Sequence, residues 1–128
     1  MDMQTRPLHE QAATEKATAK MQAFHAETID QIKSALGSSD VVVVGMAQNP
    51  HVKNVRKALE EANVPFEYLE YGSYFSEWKR RLAIKIWSGW PTFPQVFVKG
   101  ILIGGKDLTK EAIADGTLRS LLENRAAA

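Results

Sequence analysis

The hydrophobic period changes along this chain, and each change marks an element. From a start near Phe24, Ile29, Ile32 and Leu36 recur at i, i+3 and i+7, one face of a helix that Gly37 stops. Val41 to Val44 is then an unbroken β-branched run between Ser38-Ser39-Asp40 and Gly45. Such a run suits a short central strand buried on both faces. Asn49-Pro50 predicts the next helix start, with Asn49 as N-cap and Pro50 at the first helical position. Val52, Val55, Leu59 and Ala62 form its apolar face, Lys53, Arg56, Lys57, Glu60 and Glu61 fill the other, and Asn63 and Pro65 end it. Phe66 to Tyr71 reads as a second strand. Strand, helix and strand within about 30 residues predict a right-handed βαβ crossover with parallel strands.

Ser73 or Ser76 is expected to cap a second crossover helix. Phe75, Trp78 and Leu82 are its expected buried stripe, with Lys79, Arg80, Arg81 and Lys85 beside them. Ser88-Gly89 and Trp90-Pro91 stop it. Gln95 to Lys99 and Ile101 to Gly104 read as a strand pair joined at Lys99-Gly100. Asp107 is the expected N-cap of a helix over Leu108 to Asp115. Gly116 ends that helix, and Thr117 opens a last one carrying Leu118, Leu121 and Leu122. The order α-β-α-β-α-β-β-α-α predicts an α/β fold: a four-stranded mixed sheet with helices on both faces. Residues 1–23 are polar and poor in large apolar side chains. They read as an N-terminal arm, partly helical or disordered, ahead of a single domain over 24–128.

Composition narrows the chemistry. The chain has 128 residues, 45% of them hydrophobic, enough for the core of one ordinary domain. Its 16 basic and 15 acidic residues leave a net charge of +1, which makes no case for a nucleic-acid or membrane partner. It contains no cysteine. That excludes disulfides, thiolate metal sites and every mechanism with a cysteine nucleophile. The longest apolar run, Val41 to Val44, is four residues, far short of the about 20 of a membrane span. Met1 to Lys20 lacks the apolar core of a secretory signal, so a cytoplasmic protein is the expectation.

Three segments hold residues that core packing does not require: Gly45 to Val52, Trp90 to Gln95, and Gly104 to Asp107. All three are expected at one end of the sheet. The first leaves the carboxyl end of a strand, where open α/β sheets place ligands. The second enters an antiparallel neighbour there, and the third opens a helix whose free N–H groups favour an anion.

The run Trp90-Pro91-Thr92-Phe93-Pro94-Gln95, followed by Val96-Phe97-Val98-Lys99-Gly100 and Gly104-Gly105-Lys106-Asp107, resembles a glutaredoxin of the monothiol class. Arg81, Ile84, Lys85, Trp87 and Ser88 fit the same pattern, and the resemblance covers roughly Phe24 to Leu122. It implies a thioredoxin-like fold, a cis peptide before Pro94 and a glutathione groove. Arg81 and Lys85 would meet the glycine carboxylate, and Asp107 the γ-glutamyl amino group. Thr92, Phe93, Pro94, Gly105 and Lys106 would line the tripeptide's path, with Phe93 pairing through its backbone. The active-site motif departs from the family. Where members carry Cys-Gly-Phe-Ser or Cys-Pro-X-Cys, this chain has Asn49-Pro50-His51-Val52. Asn49 stands at the nucleophile position, and Met46 is the nearest equivalent of the family's lysine. An amide has no nucleophile of useful strength, so neither thiol–disulfide exchange nor an iron–sulfur cluster is expected.

Plainer readings stand beside these. Asn49 and Pro50 are fully explained as a helix cap and start. Arg81 and Lys85 also suit a solvated helix face. Asp107 can cap a helix while holding a ligand, and His51, expected exposed in the first helical turn, has no second ligand at metal spacing. Two functions follow: a redox-inactive relative that binds glutathione or a glutathionylated protein without a covalent bond, or a protein–protein interaction module that keeps the fold but not the ligand. An unrelated enzyme reusing the groove lacks a nucleophile and base pair.

Overall fold

The computed structural model describes residues 12–123. Residues 1–11 of the expected arm and 124–128 of the expected domain lie outside the described residues. The elements are α1 (Glu15–Ala23), α2 (Ala26–Ser38), β1 (Val41–Gly45), α3 (Pro50–Glu61), β2 (Glu67–Glu70), α4 (Trp78–Ser88), β3 (Gln95–Val98), β4 (Ile101–Gly104), α5 (Lys106–Asp115) and α6 (Thr117–Glu123). From α2 onward this is the predicted order. α1, capped by Thr14, lies in the arm and has no buried residue.

The sheet runs β2-β1-β3-β4. β1 pairs with β2 in parallel and with β3 antiparallel, and β3 and β4 form the hairpin. Every residue of β1 is buried. Its side chains alternate between two cores. Val42 and Val44 meet Ile32, Ala35, Ile84 and Phe97 on the α2/α4 side. Val41 and Val43 meet Val55, Leu59, Ala112 and Leu118 on the α3/α5 side. Two strands that leave their carboxyl ends together, β1 and β4, and one that enters there, β3, set three loops side by side at one end of the sheet.

The α4 stripe differs from the expectation. Phe75, Trp78 and Leu82 are exposed, by 93, 60 and 39%, and the buried residues of the helix are Arg81, Ala83 and Ile84. Neither serine caps it. Glu77, in the left-handed region at φ 61°, precedes the first turn, while Ser73 and Ser76 bond within the loop. The cause is Arg81. It is 7% exposed, and its Nη1 donates to the carbonyl oxygens of Tyr71 and Ser76. A buried guanidinium bonded to two backbone carbonyls draws its side of the helix inward and turns the Trp78–Leu82 side out. α5 also starts earlier than expected: Gly105 is its cap residue, and Asp107 lies in its first turn.

Candidate functional site

β1 ends at Gly45, which nothing larger could replace without a shift. A Cβ there would lie 2.8 Å from Val52 Cγ1 and 2.9 Å from Tyr68 Cε1. The chain then turns through Gln48, at φ 65°, into α3. Asn49 fills the cap as its side-chain chemistry predicts. Its Oδ1 accepts from His51 N at 2.9 Å and from Val52 N at 3.2 Å. The residue is 8% exposed. The oxygen is therefore spent on the free N–H groups of the first turn.

The other two loops meet this one across a cavity of about 380 Å³. Its walls include Thr92, Phe93 and Pro94 from the loop before β3, and Gly105, Lys106 and Asp107 from the start of α5. Six residues named from two separate stretches of sequence thus share one cavity. The Phe93–Pro94 peptide is cis. Gln95 Nε2 donates to Trp90 O at 3.0 Å and ties the ends of the loop together. The indole of Trp90 packs under Gly105, whose Cβ would stand 3.4 Å from Trp90 Nε1 and 3.3 Å from Pro94 O. Glycine is what lets the backbone of the third loop approach the second this closely.

Charge is distributed unevenly around the cavity. Lys106 Nζ lies 3.8 Å from the exposed Asp107 carboxylate. Lys85 is not among the lining residues; its Nζ stands 5.7 Å from the centre of the Phe93 ring, one of the residues that are. Arg81 is not there: its guanidinium is committed to the two carbonyl oxygens described above. Met46 is not there either, being buried among Val44, Val52, Tyr71 and Phe93. Histidine enters instead. His51 lines the cavity, and Asn49 is not among its lining residues. His51 belongs to no motif in the sequence. The signal available was its place one residue beyond the proline that opens α3.

Two tyrosines of the neighbouring edge are shifted. Burial holds the Tyr68 hydroxyl well above the usual phenol range, and the hydrogen bond it donates to Glu70 Oε1 at 2.9 Å adds to this. Burial also raises Tyr71, against the nearby Arg80 guanidinium.

The donor set does not fit an iron–sulfur cluster. Such clusters are held by thiolates, the chain has none, and the Asn49 oxygen already accepts two N–H groups. Among the described residues no three His, Asp or Glu side chains gather as a metal site, and no helix is long and apolar enough to cross a membrane.

Comparison with known proteins agrees with this architecture. The glutaredoxin family model matches residues 41–103. A glutaredoxin-like protein of Dictyostelium discoideum is 48% identical over 112 residues, covering 88% of this chain and 91% of that one. The chain belongs to the glutaredoxin family. Within the family, monothiol glutaredoxin-S17 of Arabidopsis thaliana is 33% identical across an alignment 129 residues long, gaps included, that covers 95% of this chain but 25% of that longer protein. The thioredoxin-like fold is that of a buckwheat glutaredoxin solved as a glutathione complex, with a TM-score of 0.66 at 23% identity, covering 86% of this chain and 94% of that one. This glutaredoxin therefore has the fold of its relatives, no cysteine, and an asparagine cap at the start of α3.

Proposed function

We propose that this glutaredoxin binds glutathione, or a glutathionylated segment of another protein, without a covalent bond and without thiol–disulfide exchange. The observation that carries the reading is the convergence of Thr92, Phe93, Pro94, Gly105, Lys106 and Asp107 on one cavity. An extended tripeptide pairs with exposed backbone such as that beside Phe93, while Asp107 attracts its amino group and Lys106 and Lys85 its carboxylates. The absence of cysteine supports the second half of the reading, since the exchange begins with attack by a thiolate. The reading sets the chain in the cytoplasm, whose redox poise the glutathione pool helps to define; fractionation of cells expressing a tagged full chain checks that.

The affinity should be low. Charged hydrogen bonds contribute ~1.5–3 kcal/mol each, and association costs several kcal/mol before any of it appears as binding. A dissociation constant near ~1 mM follows. Titration with reduced glutathione, followed by amide NMR, is the test. Shifts centred on Phe93, Gly105 and Asp107 are expected. An absence of shifts at several times that concentration would leave the chain an interaction module without this ligand.

A further inference from the structure

The outward side of α4 carries more apolar surface than a solvated helix face requires. Trp78, Leu82 and Ile86 follow one another at i, i+4 and i+8, and Ile86 is 65% exposed. Residues four apart are neighbours on a helix, so these side chains form one stripe. Phe75 stands out from the loop leading into it. That loop is well fixed: Ser73 N donates to Ser76 Oγ at 3.1 Å, Phe75 N donates to Ser73 Oγ at 3.3 Å, and Arg81 holds the carbonyl of Ser76. An exposed aromatic on an ordered loop loses little freedom when a partner covers it.

The stripe runs into a hollow. Ile86 also lines an apolar groove of about 380 Å³ with Met21, Phe24, Ile29, Ala83 and Trp87, from α2, α4 and the end of α1. Continuous exposed apolar surface of this kind marks a contact site.

Its border is basic. At 100° per residue, Lys79 falls on one side of the Trp78–Leu82–Ile86 line and Lys85 on the other. α4 contains no acidic residue, and neither lysine pairs with a carboxylate among the described residues. Arg80 is engaged by Thr28, Gln31 and Glu77, and Asp30 and Lys33 offset each other along the groove.

We infer that this stripe and groove dock an acidic amphipathic helix of another protein, its apolar residues on Trp78, Leu82 and Ile86 and its carboxylates against Lys79 and Lys85. Helices lie in apolar grooves in this manner, with charges at the rim setting partner and orientation. A second copy fits poorly, because a two-fold contact would set the lysine-flanked stripe against itself. A membrane surface fits poorly too. The patch is partly concave, and the chain's charge of +1 gives little attraction to anionic lipid. Lys85 serves in both this inference and the glutathione reading, so Lys79, which has no part in the latter, is the lysine that tests this one.

Selection of helical peptides from a displayed random library against the full chain tests it. The enriched peptides are expected to carry apolar residues at i, i+3 or i+4 spacing and an excess of Asp and Glu. Their NMR footprint should fall on residues 75–87 and on Met21, Phe24 and Ile29 across the groove. Trp78→Ser and Ile86→Ser should each weaken binding about tenfold or more at unchanged thermal stability, as truncation of central anchors does. Lys79→Glu should turn the selection away from acidic peptides. The inference is overturned by no enrichment, by peptides without acidic bias, or by a footprint elsewhere. It is also overturned if the chain dimerises in solution through Ile86, or if Trp78 mediates binding to phosphatidylserine vesicles but the peptides do not bind.

Discussion

The guanidinium of Arg81 donates to the carbonyl oxygen of Tyr71 at 3.0 Å, across the loop that joins β2 to α4. With its second bond to Ser76, it fastens the start of a helix to the end of a strand. Hydrogen bonds from a charged donor are stronger than neutral ones, and buried carbonyls left without a donor are costly.

Arg81→Gln should therefore cost about 2–4 kcal/mol of stability, read as a lower urea midpoint. Arg81→Lys should recover part of it. If Arg81→Gln instead left the midpoint unchanged and abolished glutathione binding, Arg81 would be a ligand residue after all.

Asp107 has the opposite profile. Its side chain is 94% exposed and caps nothing. Asp107→Asn should leave thermal unfolding unchanged and weaken glutathione binding about tenfold, the loss of one charge-assisted hydrogen bond. Calorimetry on both proteins measures the difference, and equal affinities would remove Asp107 from the site.

A thiol placed at position 49 tests the cap. In Asn49→Cys, the N–H groups of His51 and Val52 would face sulfur at the positive end of α3. The thiol should titrate below its free value of about 8.5, followed by thiolate absorbance. Adding Met46→Lys should not help. Met46 is packed in the core, so lysine there would bury a charge and lower stability rather than raise reactivity. An unshifted thiol in Asn49→Cys would show that this position lacks the environment of a nucleophile.

Acid should act at the α5–α6 junction. Thr117 N donates to Asp115 Oδ1 at 2.9 Å, and bonding to Thr117 holds the carboxyl below its usual value. The unfolded chain then binds this proton more readily than the folded one. The contribution is present above the ordinary carboxylate range and is lost as pH falls through the lowered value. Asp115→Ala should be less stable than the parent near neutral pH, and the two should converge in acid. A constant difference across that range would assign the effect to something other than the carboxylate.

The purified full chain should show no glutathione-dependent disulfide reduction above the blank and no stable iron–sulfur holo form. A coupled reductase assay and iron and sulfide analysis after reconstitution measure both.

The central part of the fold was legible because its signals are local. The β-branched run Val41–Val44 and the pair Asn49-Pro50 specify strand and helix start from neighbouring residues alone. α4 was not legible in the same way. It is apolar on two sides, with Ala83, Ile84 and Trp87 on one and Trp78, Leu82 and Ile86 on the other. Periodicity finds apolar positions but does not say which set faces the sheet. The deciding contact, Arg81 to the Tyr71 and Ser76 carbonyls, depends on folded geometry. At the site, Thr92 to Pro94 and Gly105 to Asp107 were readable from a motif. His51 was not, because a single histidine carries no pattern until a cavity forms around it.

The asparagine at the start of α3 has one further effect. A cysteine in that cap would change its hold on the first turn whenever it gained a proton, met an oxidant or formed a mixed disulfide. An amide does none of these. The cap's own hydrogen bonds are therefore the same in peroxide and in reductant, and sulfur oxidation of this chain is confined to its methionines. Of the two residues flanking this loop, Met46 and Asn49, only the buried methionine behind Phe93 carries an atom that an oxidant can change.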